Sequence, residues 1–207
     1  MPGKWFRTLL MICLFCLSTA VCFAYEKQPP QRLAILPIAA PAAADSDLTS
    51  SLYESLAKEL HVPLNATLQA VEYIPPAEIS SAMAELHYTV NDLQEPQHLR
   101  ALAEKLQADL TVGLVVKDLY EYQFYSFWDH ILILRSSVAL QLIGYSRTED
   151  KLLDFSARAS YWDEYTPAGT IPELAKEALY NVLKKASLKK YIFPLSKAST
   201  ALPVKEN

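Results

Sequence analysis

The chain has 207 residues, 51% of them hydrophobic and 20% charged, with 23 acidic against 19 basic side chains. The acidic balance argues against a nucleic-acid binder, which carries a basic footprint, and four scattered glycines cannot build a glycine-rich phosphate loop. All three cysteines, Cys13, Cys16 and Cys22, fall in the first 24 residues, so the rest of the chain has neither disulfides nor thiol chemistry.

Lys4 and Arg7 precede an almost uninterrupted apolar run over 8–21, and Cys22-Phe23-Ala24 sets small residues at the −3 and −1 positions of a cleavage site. This is the pattern of an export signal cut between Ala24 and Tyr25. Two alternatives stay open. One is an uncleaved anchor, because the run approaches the short limit of a membrane span. The other is a lipid on Cys22, against which stands Val21 where such a site takes a small residue. With Lys4 and Arg7 set aside, 17 basic groups face 23 acidic ones, a formal charge of −6. The chain therefore divides into a signal over 1–24, an extended leader over 25–32, a single domain over 33–193 and a disordered tail over 194–207. An exported domain without cysteine points to a bacterial envelope.

Within the domain, the apolar stretch 33–38 predicts a first strand with Pro37 near its end. Asp45, Ser46 or Asp47 then caps a helix whose stripe is Leu48, Leu52, Leu56 and Leu60. Residues 68–74 predict a second strand, stopped by Pro75-Pro76. Pro76 opens a helix to about His87 and Pro96 opens another, its face made by Leu99, Leu102, Ala103 and Leu106. Leu110 to Val116 is apolar or Gly in six of seven positions, the pattern of a central strand buried on both faces. Residues 131–145 predict a long strand. Alternation over 152–162 predicts another, with Asp154, Ser156, Arg158 and Ser160 on a wet face, and 147–151 forms the hairpin tip between them. Thr170-Ile171-Pro172-Glu173 is a capping-box pattern for the last helix, whose stripe runs from Leu174 to Ala186. The order β-α-β-α-α-β-β-β-α predicts a mixed α/β fold in two or three layers, a five-stranded mixed sheet with helices packed on it and a long C-terminal hairpin.

Between the central strand and the next lie Tyr120, Tyr122, Phe124, Tyr125, Phe127 and Trp128. One reading is a strand running outward whose rings cover the sheet edge; the other is a partner-binding patch. Burial or exposure of Tyr122 and Trp128 separates the two. Lys184, Lys185, Lys189 and Lys190 crowd the end of the last helix, where cations match the helix dipole and could also meet an anionic surface.

Catalytic patterns are absent. His61, His87, His98 and His130 stand alone, without a metal-ligand spacing, so no metal or cofactor is expected. No nucleophile elbow occurs. The carboxylate pairs Asp45/Asp47, Glu149/Asp150 and Asp163/Glu164 sit in polar stretches, where nothing raises a pKa for acid–base work. Asp129 and His130, with a nearby Tyr, are the one constellation an enzyme could use, and Asn65-Ala66-Thr67 is a glycosylation sequon.

The opening strand ending in Pro, the Leu52-to-Leu60 helix and above all the run from Leu102 through Leu106-Gln107-Ala108-Asp109 to Gly113 and Val115 resemble an envelope family. It comprises the amino-terminal α/β domain of the TolB propeller protein, the curli secretion lipoprotein CsgG and lipoprotein activators of cell-wall synthases. In that group a helix ending Leu-x-Ala-Asp feeds a strand with Gly a few residues on. The resemblance covers about 33–186 and implies a non-catalytic envelope domain that works by contact with another envelope protein. No convincing lipid-attachment cysteine, propeller or pore-forming segment accompanies it. The expectation is an exported, non-enzymatic assembly, adaptor or activator protein. It binds no nucleic acid and meets a membrane only through an uncleaved signal or a lipid anchor. The alternatives are a module binding a small ligand or cell-wall polymer, with the aromatics as a stacking platform, and an extracytoplasmic hydrolase.

Overall fold

A computed structural model describes residues 29–42 and 44–192. The expected export signal, its expected cleavage site at Ala24/Tyr25 and the expected disordered tail over 194–207 lie outside the described residues. The unit considered below begins at Gln31.

Five strands form one mixed sheet: β1 (Gln31–Ile35), β2 (Val71–Tyr73), β3 (Leu110–Ser126), β4 (Ile131–Ser146) and β5 (Lys151–Glu164), in the spatial order β2-β1-β3-β4-β5. β1 runs parallel to both β2 and β3, while β3-β4-β5 is an antiparallel meander. The helices are α1 (Ser46–Leu60), α2 (Asn65–Leu68), α3 (Pro76–Glu85), α4 (Pro96–Leu106), α5 (Ile171–Ala186) and α6 (Lys189–Ile192). The expected mixed α/β architecture is present, and the expected element order is extended by two short helices, α2 and α6.

Alternation along β3 builds two cores on opposite faces of the sheet. Leu110, Val112, Leu114 and Val116 pack with α1 and α5, whereas Val115, Ile143 and Tyr145 pack with α3 and α4. The result is three layers. The helical stripes read from spacing do this packing: Leu52, Leu56 and Leu60 of α1, and Leu99, Leu102, Ala103 and Leu106 of α4, are all buried. Asp45 caps α1, its carboxylate accepting from the amide of Asp47. The Leu-x-Ala-Asp run is a structural clip. Leu106 and Ala108 are buried, and Asp109 accepts from the Arg32 amide at 2.9 Å and from Arg147 at 2.7 Å, tying β1, β3 and the end of β4 together. Gly144 faces the backbone carbonyl of Thr111 so closely that an added Cβ would collide with it.

Several local expectations are corrected. The first strand ends at Ile35, leaving Pro37 outside it, since proline cannot donate to a sheet ladder. The second strand shrinks to Val71–Tyr73 because 65–68 turns into a short helix. The side chain of Asn65 grips Val71 there, donating to its carbonyl at 2.7 Å and accepting from its amide at 2.9 Å, which leaves the sequon nitrogen engaged. The capping box does not close: the Thr170 hydroxyl donates to the Pro167 carbonyl and Glu173 pairs with Lys176. Glu121 of β3 instead accepts from the first amide of α5, that of Ile171, at 3.1 Å. The central strand runs ten residues past Val116, to Ser126.

Candidate functional site

Beyond the layers, β3, β4 and β5 continue outward as a three-stranded sheet end, with residues 127–130 turning the β3–β4 hairpin at its tip. One residue decides which way its aromatics point. The β3 register slips between Val116 and Asp118, so Lys117 is an extra residue in the ladder. A single-residue bulge exchanges the faces of everything after it. Even-numbered residues beyond it therefore share the α3/α4 face of the sheet with Val115, and the cross-strand rows on that face are Tyr120–Ser137–Ser160, Tyr122–Arg135–Trp162 and Phe124–Ile133–Glu164.

The two faces of this end are treated differently. On the α5 side, the 3-10 turn Pro167–Gly169 and the start of α5 close over it. There the Ser136 hydroxyl donates to the Gly169 carbonyl, Gly169 lies against the Tyr161 ring, and Leu134 is fully buried. On the α3/α4 side no residue of the three rows joins either core cluster. That face is open. Tyr122 is 60% and Trp162 67% exposed, and at the tip Phe127 is 80% and Trp128 95% exposed. Tyr122 stacks on Phe124 at 5.7 Å between ring centroids, and Tyr125, on the other face, meets Phe127 edge-on at 5.5 Å.

The six aromatics read from the sequence are thus split among three places. Tyr120, Tyr122 and Phe124 lie on the open face, Tyr125 on the covered face, and Phe127 and Trp128 on the tip. The exposure of Tyr122 and Trp128 overturns the reading in which these rings pack over the sheet edge. Two participants were missed, Arg135 and Trp162. The Arg135 guanidinium lies 4.7 Å from the Trp162 ring centroid. Trp162 continues the wet-face alternation of Asp154, Ser156, Arg158 and Ser160, which was its signal; Arg135 had none, because register alone brings it there.

Three of the four lysines share one groove and Lys185 lies apart from them. α5 ends at Ala186, and Lys189 and Lys190 belong to α6. Lys185 turns to the sheet edge and donates to the Ser156 carbonyl, and Lys189 lies 3.5 Å from Glu59. Lys184, Lys189 and Lys190 line a shallow groove of about 430 Å³ that Glu59 shares. An open cavity of about 500 Å³ lies between α1 and α3, past the end of β1, with Tyr53 and Glu54 as its ionisable lining groups. No aromatic of the sheet end lines either space.

Asp129 and His130 belong to the turn. The Ser126 hydroxyl donates to Asp129 at 2.8 Å, and His130 takes a left-handed backbone with φ of 55°. They form no acid–imidazole pair with each other. No group of three or more His, Cys, Asp or Glu side chains that could hold a metal occurs among the described residues. Among the same residues, no helix is long and apolar enough to cross a membrane. Two ionisations shift, both away from the sheet end. Hydrogen bonds from the hydroxyl and amide of Thr89 hold the Asp92 carboxyl below its ordinary value. The bond from Tyr145 to Asp150, with burial behind it, pushes the Tyr145 phenol up.

Fold and site together define a three-layer α/β domain that projects an open, aromatic sheet end. No family model matches the chain, and no curated protein matches it. Among solved structures it is similar to a hypothetical protein from Chlamydia trachomatis, with 10% identity over 80% of this chain and 99% of that one and a TM-score of 0.47. It is also similar to a lipoprotein from Neisseria meningitidis (15% identity, 76% and 99% covered, TM-score 0.42). A third is the LpoB C-terminal domain from Salmonella enterica (10% identity, 70% and 92% covered, TM-score 0.36). At these scores the likenesses carry no argument about what this chain does.

Proposed function

We propose that the chain is an exported cell-envelope protein that acts without catalysis, as an assembly, adaptor or activator protein, by holding another envelope protein at the projecting end of its sheet. In this reading the export signal over 1–24 is cut between Ala24 and Tyr25, and residues 120–128 supply the contact. One observation carries it: the residues farthest out are Phe127 and Trp128, at 80% and 95% exposure. Large rings held in water at the end of a hairpin stabilise no core, and Trp and Tyr are the side chains that dominate protein contacts.

The test is photo-crosslinking in the living envelope, with a photoreactive residue at 128 and, as a control, at the exposed Tyr180 on α5. Capture of one envelope protein from 128 alone, lost on Phe127→Ala, is the expected result. No adduct from 128 in a folded, abundant protein overturns the proposal.

A further inference from the structure

The open face beside the tip carries charged side chains that the fold leaves unpaired. The described residues contain five arginines, and four are ion-paired: Arg32 with Glu72 and Glu78, Arg100 with Asp150, Arg147 with Asp109 and Arg158 with Asp118. Among the described residues Arg135 has no carboxylate partner, and its guanidinium lies against Trp162. One row outward on the same face, diagonal to it, the Glu164 side chain is exposed and also without a partner among the described residues. One row inward the Ser137 hydroxyl is 1% exposed and has no hydrogen-bond partner. An unpaired cation and an unpaired anion on one diagonal, with Trp162 between them in the next strand, make this surface complementary to itself.

From this self-complementarity we infer that the open face of β3-β4-β5 is a two-fold contact with a second copy of the chain, in which Arg135 of each copy meets Glu164 of the other. An isologous interface needs this reciprocity, residue i on j and j on i. A two-fold axis crossing the Arg135–Glu164 diagonal brings the two Trp162 rings together, and Tyr122 closes the side. Stacking of faces is favoured over edge pairing, because Lys185 already occupies the Ser156 carbonyl in mid-β5, the lysine device that blunts an edge strand. From Ser137 to Ile131 the face is about 20 Å long and about 14 Å wide at strand spacing. That projects to roughly 280 Å², well below the about 800 Å² per partner of a standard stable interface. The dimer is therefore weak and concentration-dependent.

The inference does not rest on the tip reading, and a different measurement tests it. Sedimentation equilibrium of the purified full chain, followed up to about 1 mM, is expected to show a reversible monomer–dimer equilibrium. Arg135→Glu and Glu164→Arg each weaken it by about tenfold or more, and the double exchange restores it; Phe127→Ala/Trp128→Ala leaves it unchanged. Circular dichroism confirms folding, and if a reversal fails to fold, Arg135→Gln and Glu164→Gln serve in its place, each expected to weaken the dimer. A monomer throughout the range, a dimer indifferent to these changes, or a double exchange that recovers nothing overturns the inference.

Discussion

Trp128 and Leu134 sit within six residues of each other on the same hairpin and are expected to respond to truncation in opposite ways. A tryptophan side chain offers about 250 Å² of surface. At 95% exposure Trp128 buries only about one-twentieth of its area, roughly 12 Å², which at about 25 cal/mol per Å² amounts to about 0.3 kcal/mol. Trp128→Ala should therefore leave stability nearly unchanged. Leu134 is fully buried, so Leu134→Ala removes buried methyl groups and leaves a cavity, costing about 2–5 kcal/mol. Urea denaturation followed by circular dichroism reads both, and unchanged m-values would show that stability itself has changed. A loss above about 1 kcal/mol for Trp128→Ala would mean that the tip packs against the protein, and the case for a contact surface would fail with it.

Other expectations follow from the clips that hold the sheet. Asp109→Ala removes the acceptor shared by the Arg32 amide and Arg147, and should cost about 2 kcal/mol, because hydrogen bonds to a charged group are lost and the amide is left without its partner. Gly144→Ala drives a methyl group into the Thr111 carbonyl and should cost about 3 kcal/mol by denaturation. Tyr145→Phe deletes the 2.7 Å bond to Asp150, worth about 1 kcal/mol, and its effect has a defined pH dependence. The folded-state pKa of the phenol is raised above its ordinary 10.0, so the contribution is complete below pH 10 and is lost as pH rises through the raised value. The stability gap between wild type and variant should be flat to about pH 10 and narrow beyond it.

The helices were legible because their signals are local. A spacing of three and four sets Leu99, Leu102, Ala103 and Leu106 on one face, and proline at the first turn marks where α3 and α4 begin. The alternation over 152–162 likewise separated wet from dry residues along β5. What escaped depends on non-local pairing. The extra Lys117 leaves no mark in composition, yet it decides whether Tyr120 and Tyr122 face the covered or the open side. Register then places Arg135 and Trp162 beside Tyr122, and residues 27 apart in sequence carry no sign that they are neighbours. The shortened second strand has a similar cause: the Asn65 side chain competes with the ladder for the backbone of Val71. The capping-box pattern was present but the fold used another acceptor, Glu121, fifty residues away.

Native electrophoresis of gently solubilised envelopes separates a tip that serves association from one that serves folding. With Phe127→Ala/Trp128→Ala compared against wild type at equal abundance, the wild-type chain is expected to migrate in a larger complex with another envelope protein. The double variant should run free of that protein while keeping the wild-type melting temperature. If the variant stays in the same complex, the tip is not the contact; if it is lost from the complex only because it has unfolded, the separation of binding from folding at the sheet end is contradicted.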